Sequence, residues 1–64
     1  MSTLKGSRIR KRRLALGMRQ EDLAKALKMS VSTINRFERN KGEPKASTLH
    51  AIARVLKCRM EDFF

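Results

Sequence analysis

Residues 20–38 read Q-E-D-L-A-K-A-L-K-M-S-V-S-T-I-N-R-F-E, and the spacing of the apolar letters in this stretch decides the fold. Leu23, Ala24 and Leu27 fall at i, i+1 and i+4, which is one face of a helix over Gln20 to Leu27. Glu21 and Asp22 occupy its first turn, where carboxylates complement the positive end of the helix dipole. Lys28 and Met29 break the period. Ser30 then offers a hydroxyl as N-cap for a further segment over residues 31–39, in which Ile34 and Phe37 face inward. The spacing predicts two short amphipathic helices joined by a three-residue turn.

Working outward, residues 4–16 place Ile9, Leu14 and Leu16 among Lys5, Arg8, Arg10, Lys11, Arg12 and Arg13, the pattern of a surface helix with a narrow apolar side. Gly17 ends it. Residues 40–44, Asn-Lys-Gly-Glu-Pro, have the composition of a loop. Beyond them Ser47 or a neighbour can cap a helix carrying Leu49, Ile52, Ala53 and Leu56 on one stripe. Residues 60–64 read as a last helical turn that drops Met60 and either Phe63 or Phe64 onto the core. Residues 1–64 are expected to form a single domain.

Sixteen Lys and Arg against six Asp and Glu give a formal net charge of +10 in 64 residues. Such a field attracts polyanions, which makes nucleic acid the first candidate partner. A chain of this length buries only about 60% of the surface its unfolded form exposes, too little for a deep catalytic cleft. His50 stands alone, so neither a metal site nor a cofactor is expected. Cys58, the lone cysteine, reads as a small partly buried residue and not a nucleophile. The four methionines read as core filler, or in the case of Met1 as the chain start. With no apolar run near the roughly 20 residues that span a bilayer, the expected place is the cytoplasm and not a membrane.

The helix pair carries the functional signal. Two helices cross at a steep angle over a short turn when their meeting point is small and its surroundings apolar. Ala24 supplies the first, and Leu23, Leu27, Met29, Ile34 and Phe37 the second. Positions 32, 33 and 36 then share the face opposite Ile34 and Phe37. Arg36 can bond both O6 and N7 of guanine, with about 1 to 3 kcal/mol of discrimination. Val31 can touch a thymine methyl, while the hydroxyls of Ser32 and Thr33 specify little and Thr33 also suits a phosphate.

Four motifs in order, R-I-R-K-R-R-L-A-L-G-M at 8–18, Q-E-D-L-A-K-A-L at 20–27, S-T-I-N-R-F-E at 32–38 and T-L-H-A-I-A-R-V-L at 48–56, together with the Pro44 loop, resemble the phage repressor and Cro type of DNA-binding domain. The resemblance implies an all-α fold, a compact bundle of five short helices containing a helix-turn-helix whose latter helix enters the major groove. It implies base contacts from Ser30, Val31, Ser32 and Arg36. Phosphate contacts fall to Gln20, Thr33, Arg39, Asn40, Lys41, Lys45 and Arg13, with a structural salt bridge between Arg13 and Glu38. The implied partner is a double-stranded operator, two-fold symmetric with half-sites about 34 Å apart; with no dimerisation segment in the sequence, the chain is expected to be monomeric in solution and to pair weakly on DNA.

Three features depart from the family pattern. Arg19 stands where a polar cap is common and cannot accept a bond from a backbone N–H. Lys28 and Lys57 replace glycines after helices, at a cost of about 1 kcal/mol each if left-handed. Val31 and Ser32 replace the glutamines of some phage repressors. The function expected is a transcriptional repressor; the alternative is an antitoxin-type protein that also holds a toxin, against which stands the lack of a partner-binding arm after Phe64. A cationic membrane-active peptide is the third reading.

Overall fold

The computed structural model describes residues 4–64. Four α-helices follow in order: α1 at Gly6–Ala15, α2 at Gln20–Leu27, α3 at Val31–Glu38 and α4 at Ala46–Val55. The fifth helix expected from the resemblance is a four-residue 3-10 turn, Met60–Phe63, so the described chain has four α-helices and not five. Helices α1 and α2 both pack on α3, α4 packs on α2, and the closing 3-10 turn sits between α1 and α4. Leu23, Ala24, Ile34, Ile52 and Leu56 meet in the core as their spacing predicts, joined by Ile9 and Phe63. Phe63 is the buried one of the two terminal phenylalanines, and Phe64 stays exposed. Met18, Met29 and Met60 pack against the core; Met1 lies outside the described residues.

Helix α1 departs from its apolar pattern. Its inward positions are Gly6, Ile9 and Arg13, spaced three and four apart, whereas Leu14 is 51% and Leu16 38% exposed. Successive helical residues differ by about 100° around the axis, so Arg13 facing inward turns Leu14 away. Leu16 lies beyond the last helical residue.

All four helices end in the same way. Gly17, Lys28, Asn40 and Lys57 each adopt a left-handed conformation, with φ of 71°, 57°, 56° and 56°. In each case the next N–H reaches back five residues: Met18 to Arg13, Met29 to Ala24, Lys41 to Arg36 and Cys58 to Ala53, at 2.8–3.1 Å. This double-bonded closure satisfies carbonyls that the helix itself leaves open. Only the first uses glycine, and Lys28 and Lys57 bear the steric cost expected of them.

The starts are less regular. Ser30 caps α3 as predicted, its Oγ accepting from Thr33 N–H at 3.2 Å. Ser47 does not cap α4; Lys45 holds that position without a side-chain bond, and Ser47 falls inside the helix. At α2 the Arg19 side chain supplies no cap, but the Asp22 carboxylate accepts from the Arg19 N–H at 2.9 Å. Helix α1, preceded by Lys5, is capped from a distance: Asn40 Oδ1 accepts from Gly6 N–H at 2.5 Å while Asn40 Nδ2 donates to the Leu4 carbonyl at 2.9 Å. One amide thus ties the end of α3 to the start of α1. Asn40→Ala removes both bonds and puts a methyl side chain in a left-handed conformation, so a loss of about 1–3 kcal/mol is expected. Thermal melting of Asn40→Asp, which keeps the acceptor alone, should fall between wild type and Asn40→Ala.

Candidate nucleic-acid interface

The outward face of α3 is a narrow strip. Val31 is 42% exposed, and Ser32, Arg36 and Arg39 are exposed beside it. At the helix start the three hydroxyls are linked, Ser30 Oγ standing 2.8 Å from Thr33 Oγ1 and 3.2 Å from Ser32 Oγ. Ser30 is therefore first a cap, and its hydroxyl is already engaged. The core face of α3 carries Ile34, with Phe37 half-buried, so the helix shows its polar side to solvent because its apolar side is held.

Arg36, Arg39, Lys41 and Lys45 form no ion pair with any carboxylate among the described residues. Four uncompensated cations follow one another from the last turn of α3 into the loop before α4. Their charge is available to a polyanion.

Behind the strip lies a buried polar knot. Arg13 Nε and Nη2 donate to Glu38 Oε2 and Oε1 at 2.6 and 3.0 Å, and Arg13 Nη1 donates to the Met18 carbonyl at 2.8 Å. Gln20 Nε2 adds a bond to Glu38 Oε1 at 3.1 Å. The side chains of Arg13 and Glu38 are 6% and 1% exposed. The salt bridge implied by the resemblance is present, and the knot fixes the end of α3 against α1 and the first residue of α2. The same geometry corrects a further expectation: buried and bonded on both arms, Arg13 has no free face for phosphate. Asn40 is held differently: its Oδ1 and one amide N–H are bonded to Gly6 and Leu4, while the residue stays exposed and keeps a second amide N–H.

The run from Lys5 to Arg13, expected as a solvated charged face, is partly structural. Arg12 Nε donates to the Leu56 carbonyl at 2.8 Å and Arg12 Nη2 to that of Lys57 at 3.2 Å, which caps the end of α4. Arg8 donates to the Phe64 carbonyl. No periodicity in the sequence announces these bonds, since each joins residues more than forty positions apart. Lys5, Arg10 and Lys11 are exposed.

Two groups have shifted acidities. The Arg19 N–H bonded to Asp22 holds that carboxyl below its ordinary value, and the Arg19 charge adds to the effect. Burial pushes the Cys58 thiol up, against the pull of Arg12, so it stays protonated near neutrality. Among the described residues no three His, Cys, Asp or Glu converge to hold a metal, and no helix is long and apolar enough to cross a membrane.

Two helices fixed at a three-residue turn, with an exposed polar strip on the latter and free cations at its end, define a helix-turn-helix protein. The chain belongs to the helix-turn-helix family, whose model matches residues 9–63. It is 45% identical over 53 residues to the HTH-type transcriptional regulator DicA of Escherichia coli K12, covering 83% of this chain and 39% of that protein. It is 41% identical over 58 residues to an uncharacterized HTH-type transcriptional regulator of Archaeoglobus fulgidus, covering 91% and 83%. A transcriptional regulator of Rhodospirillum rubrum matches at 39% over 59 residues, and the chain spans 55% of its length. Among solved structures, the P22 c2 repressor in complex with a synthetic operator superposes with a TM-score of 0.88 at 35% identity, over 98% of this chain and 96% of that one. The restriction-modification controller protein C.AhdI of Aeromonas hydrophila gives 0.85 at 27%, over 92% and 89%.

Proposed function

We propose that residues 1–64 act as one DNA-binding domain that recognises a specific duplex sequence and represses transcription by occupying it. The observation that carries this reading is the juxtaposition of the α3 strip with the four unpaired cations at its end. The likeness to a repressor solved on its operator supports it further. Inserted in a major groove, α3 would present Val31, Ser32 and Arg36 to base edges, with Ser30 close by. Arg39, Asn40, Lys41 and Lys45 would meet phosphates on one side of the groove, and Gln20 and Thr33 on the other. Two copies would occupy a two-fold site with half-sites about 34 Å apart, pairing weakly and only on DNA. The setting is the cytoplasm of a bacterium or phage-infected host. No observation favours an antitoxin role, and the similar proteins are named as regulators and repressors.

Selection of bound duplexes from a random pool, followed by titration, tests this. Arg36→Ala is expected to relax the preference at one base pair, losing about 1–3 kcal/mol there. Lys41→Ala is expected to weaken binding to every sequence alike and to reduce the salt slope by about 1. If both variants lose equally on selected and random duplexes, the sequence-reading assignment fails.

A further inference from the structure

We propose that Gly42, in the loop after α3, is a positioning residue for Arg36 and thereby a determinant of base preference; this rests on the reading of Arg36 as a base contact. Arg36 makes no side-chain hydrogen bond or ion pair among the described residues, so nothing polar fixes its long side chain. A neighbour does. The loop turns back through the left-handed Asn40, and Lys41 N–H donates to the Arg36 carbonyl at 2.8 Å. This brings Gly42 beside the guanidinium. A Cβ at Gly42 would lie 3.5 Å from Arg36 Nη2 and 3.9 Å from both Cζ and Nε, and these are its three nearest atoms.

The space that a side chain larger than alanine at position 42 would enter is thus bordered by the head of Arg36. Backbone freedom does not account for the glycine, because Gly17 alone of the described glycines has a positive φ. What the position uses is the lack of a side chain. The loop borders the guanidinium on this side while leaving its N–H donors unbonded. A long flexible side chain loses rotamer freedom when it binds, and prior confinement lowers that cost. The loop that carries Lys41 toward phosphate therefore also sets the Arg36 head.

The test compares Gly42→Ala, Gly42→Val, Arg36→Ala and the double variant Gly42→Val/Arg36→Ala in the full chain. A methyl at 3.5 Å is ordinary contact, so Gly42→Ala should keep the wild-type base preference. The added γ carbons of Gly42→Val should displace the guanidinium and reduce discrimination about fivefold or more, at the same base pair that Arg36→Ala relaxes. Affinity for random duplex and its salt slope should stay unchanged, and the double variant should lose no more than Arg36→Ala alone. In the free protein the Arg36 Nε–H resonance should move in Gly42→Val and hold in Gly42→Ala, with melting curves checking that each variant is folded. An unmoved resonance, or losses that multiply in the double variant, would overturn the positioning role. A moved resonance with base preference intact in Arg36→Ala would instead uphold the placement and overturn the base-contact reading on which the specificity claim rests.

Discussion

Glu38→Ala is expected to unfold a large part of the population at 25 °C. The substitution removes both carboxylate acceptors of the Arg13 guanidinium, leaving it the Met18 carbonyl alone, and the partner of the Gln20 amide, at a site where the Arg13 side chain is 6% exposed. A guanidinium has no accessible neutral form, so the charge left behind cannot be discharged by losing a proton. Breaking a buried pair from one side costs about 3–5 kcal/mol. A domain of this length has a total stability of about 3–10 kcal/mol, so the loss takes up much or all of it. The pair need not be worth that much relative to an apolar replacement. Arg13→Met/Glu38→Leu should therefore recover a large part of what Glu38→Ala loses, since the desolvation cost disappears with the charges. Urea unfolding followed by circular dichroism distinguishes these outcomes. Glu38→Ala melting with the wild type would mean that the pair is not buried in solution. The exposed contacts of Arg19 with Glu21 and Asp22, at 3.7 and 3.6 Å, provide the contrast: Arg19→Ala should change stability by no more than about 1 kcal/mol.

The contrast also shows what the sequence displays and what it hides. Leu23, Ala24, Ile34, Ile52 and Leu56 are buried because a helix that repeats apolar residues every three or four positions has one face to bury, and that period is local. Ser30 is legible for the same reason, its acceptor lying within three residues of the N–H it satisfies. The Arg13–Glu38 pair is not local. Taken by themselves these residues are two charges 25 positions apart, and only the resemblance to repressors joins them. On α1 the local rule misleads, because Leu14 and Leu16 are apolar yet exposed while a charged residue holds the inward place. Asn40 shows the same limit within the site: its position in a basic loop suggests phosphate, and nothing local announces that its amide also bonds residues 34 and 36 positions away. Arg8 and Arg12 likewise look like surface charge until the chain ends are brought beside them. Within the candidate interface, Val31, Ser32 and Arg36 are legible because exposure on one helical face is again periodic. The space beside Gly42 is not, since it exists only once the loop has folded back on α3.

Gly6→Ala is expected to lower the melting temperature by about 10–30 °C, against the direction that helix propensity gives. Alanine is favoured over glycine within a helix by about 0.5–1 kcal/mol, so on local grounds the change at the first residue of α1 should be neutral or stabilising. Tertiary geometry reverses the sign. A Cβ at Gly6 would collide with the Phe37 carbonyl oxygen, and would stand 2.5 Å from Asn40 Oδ1 and 2.8 Å from the Glu38 carbonyl oxygen. Two of these three atoms belong to backbone at the end of α3, so no side-chain rotation clears them. Helix α1 must move away from α3, at a cost of about 1–3 kcal/mol for the crowding. The Gly6 N–H bond to Asn40 is strained or lost with it, adding about 1 kcal/mol. The other glycines make the mechanism testable in one series. Gly17 has φ of +71° with nothing within 4 Å of its Cβ position, so Gly17→Ala carries backbone strain alone, about 1 kcal/mol. Gly42, without a positive φ and with its nearest atoms at 3.5 Å or more, should tolerate alanine or gain up to about 1 kcal/mol from a less flexible unfolded chain. Melting temperatures should therefore fall most for Gly6, less for Gly17 and not at all for Gly42. A rise for Gly6→Ala would show that α1 stands farther from α3 in solution than the Phe37 and Glu38 carbonyls allow here.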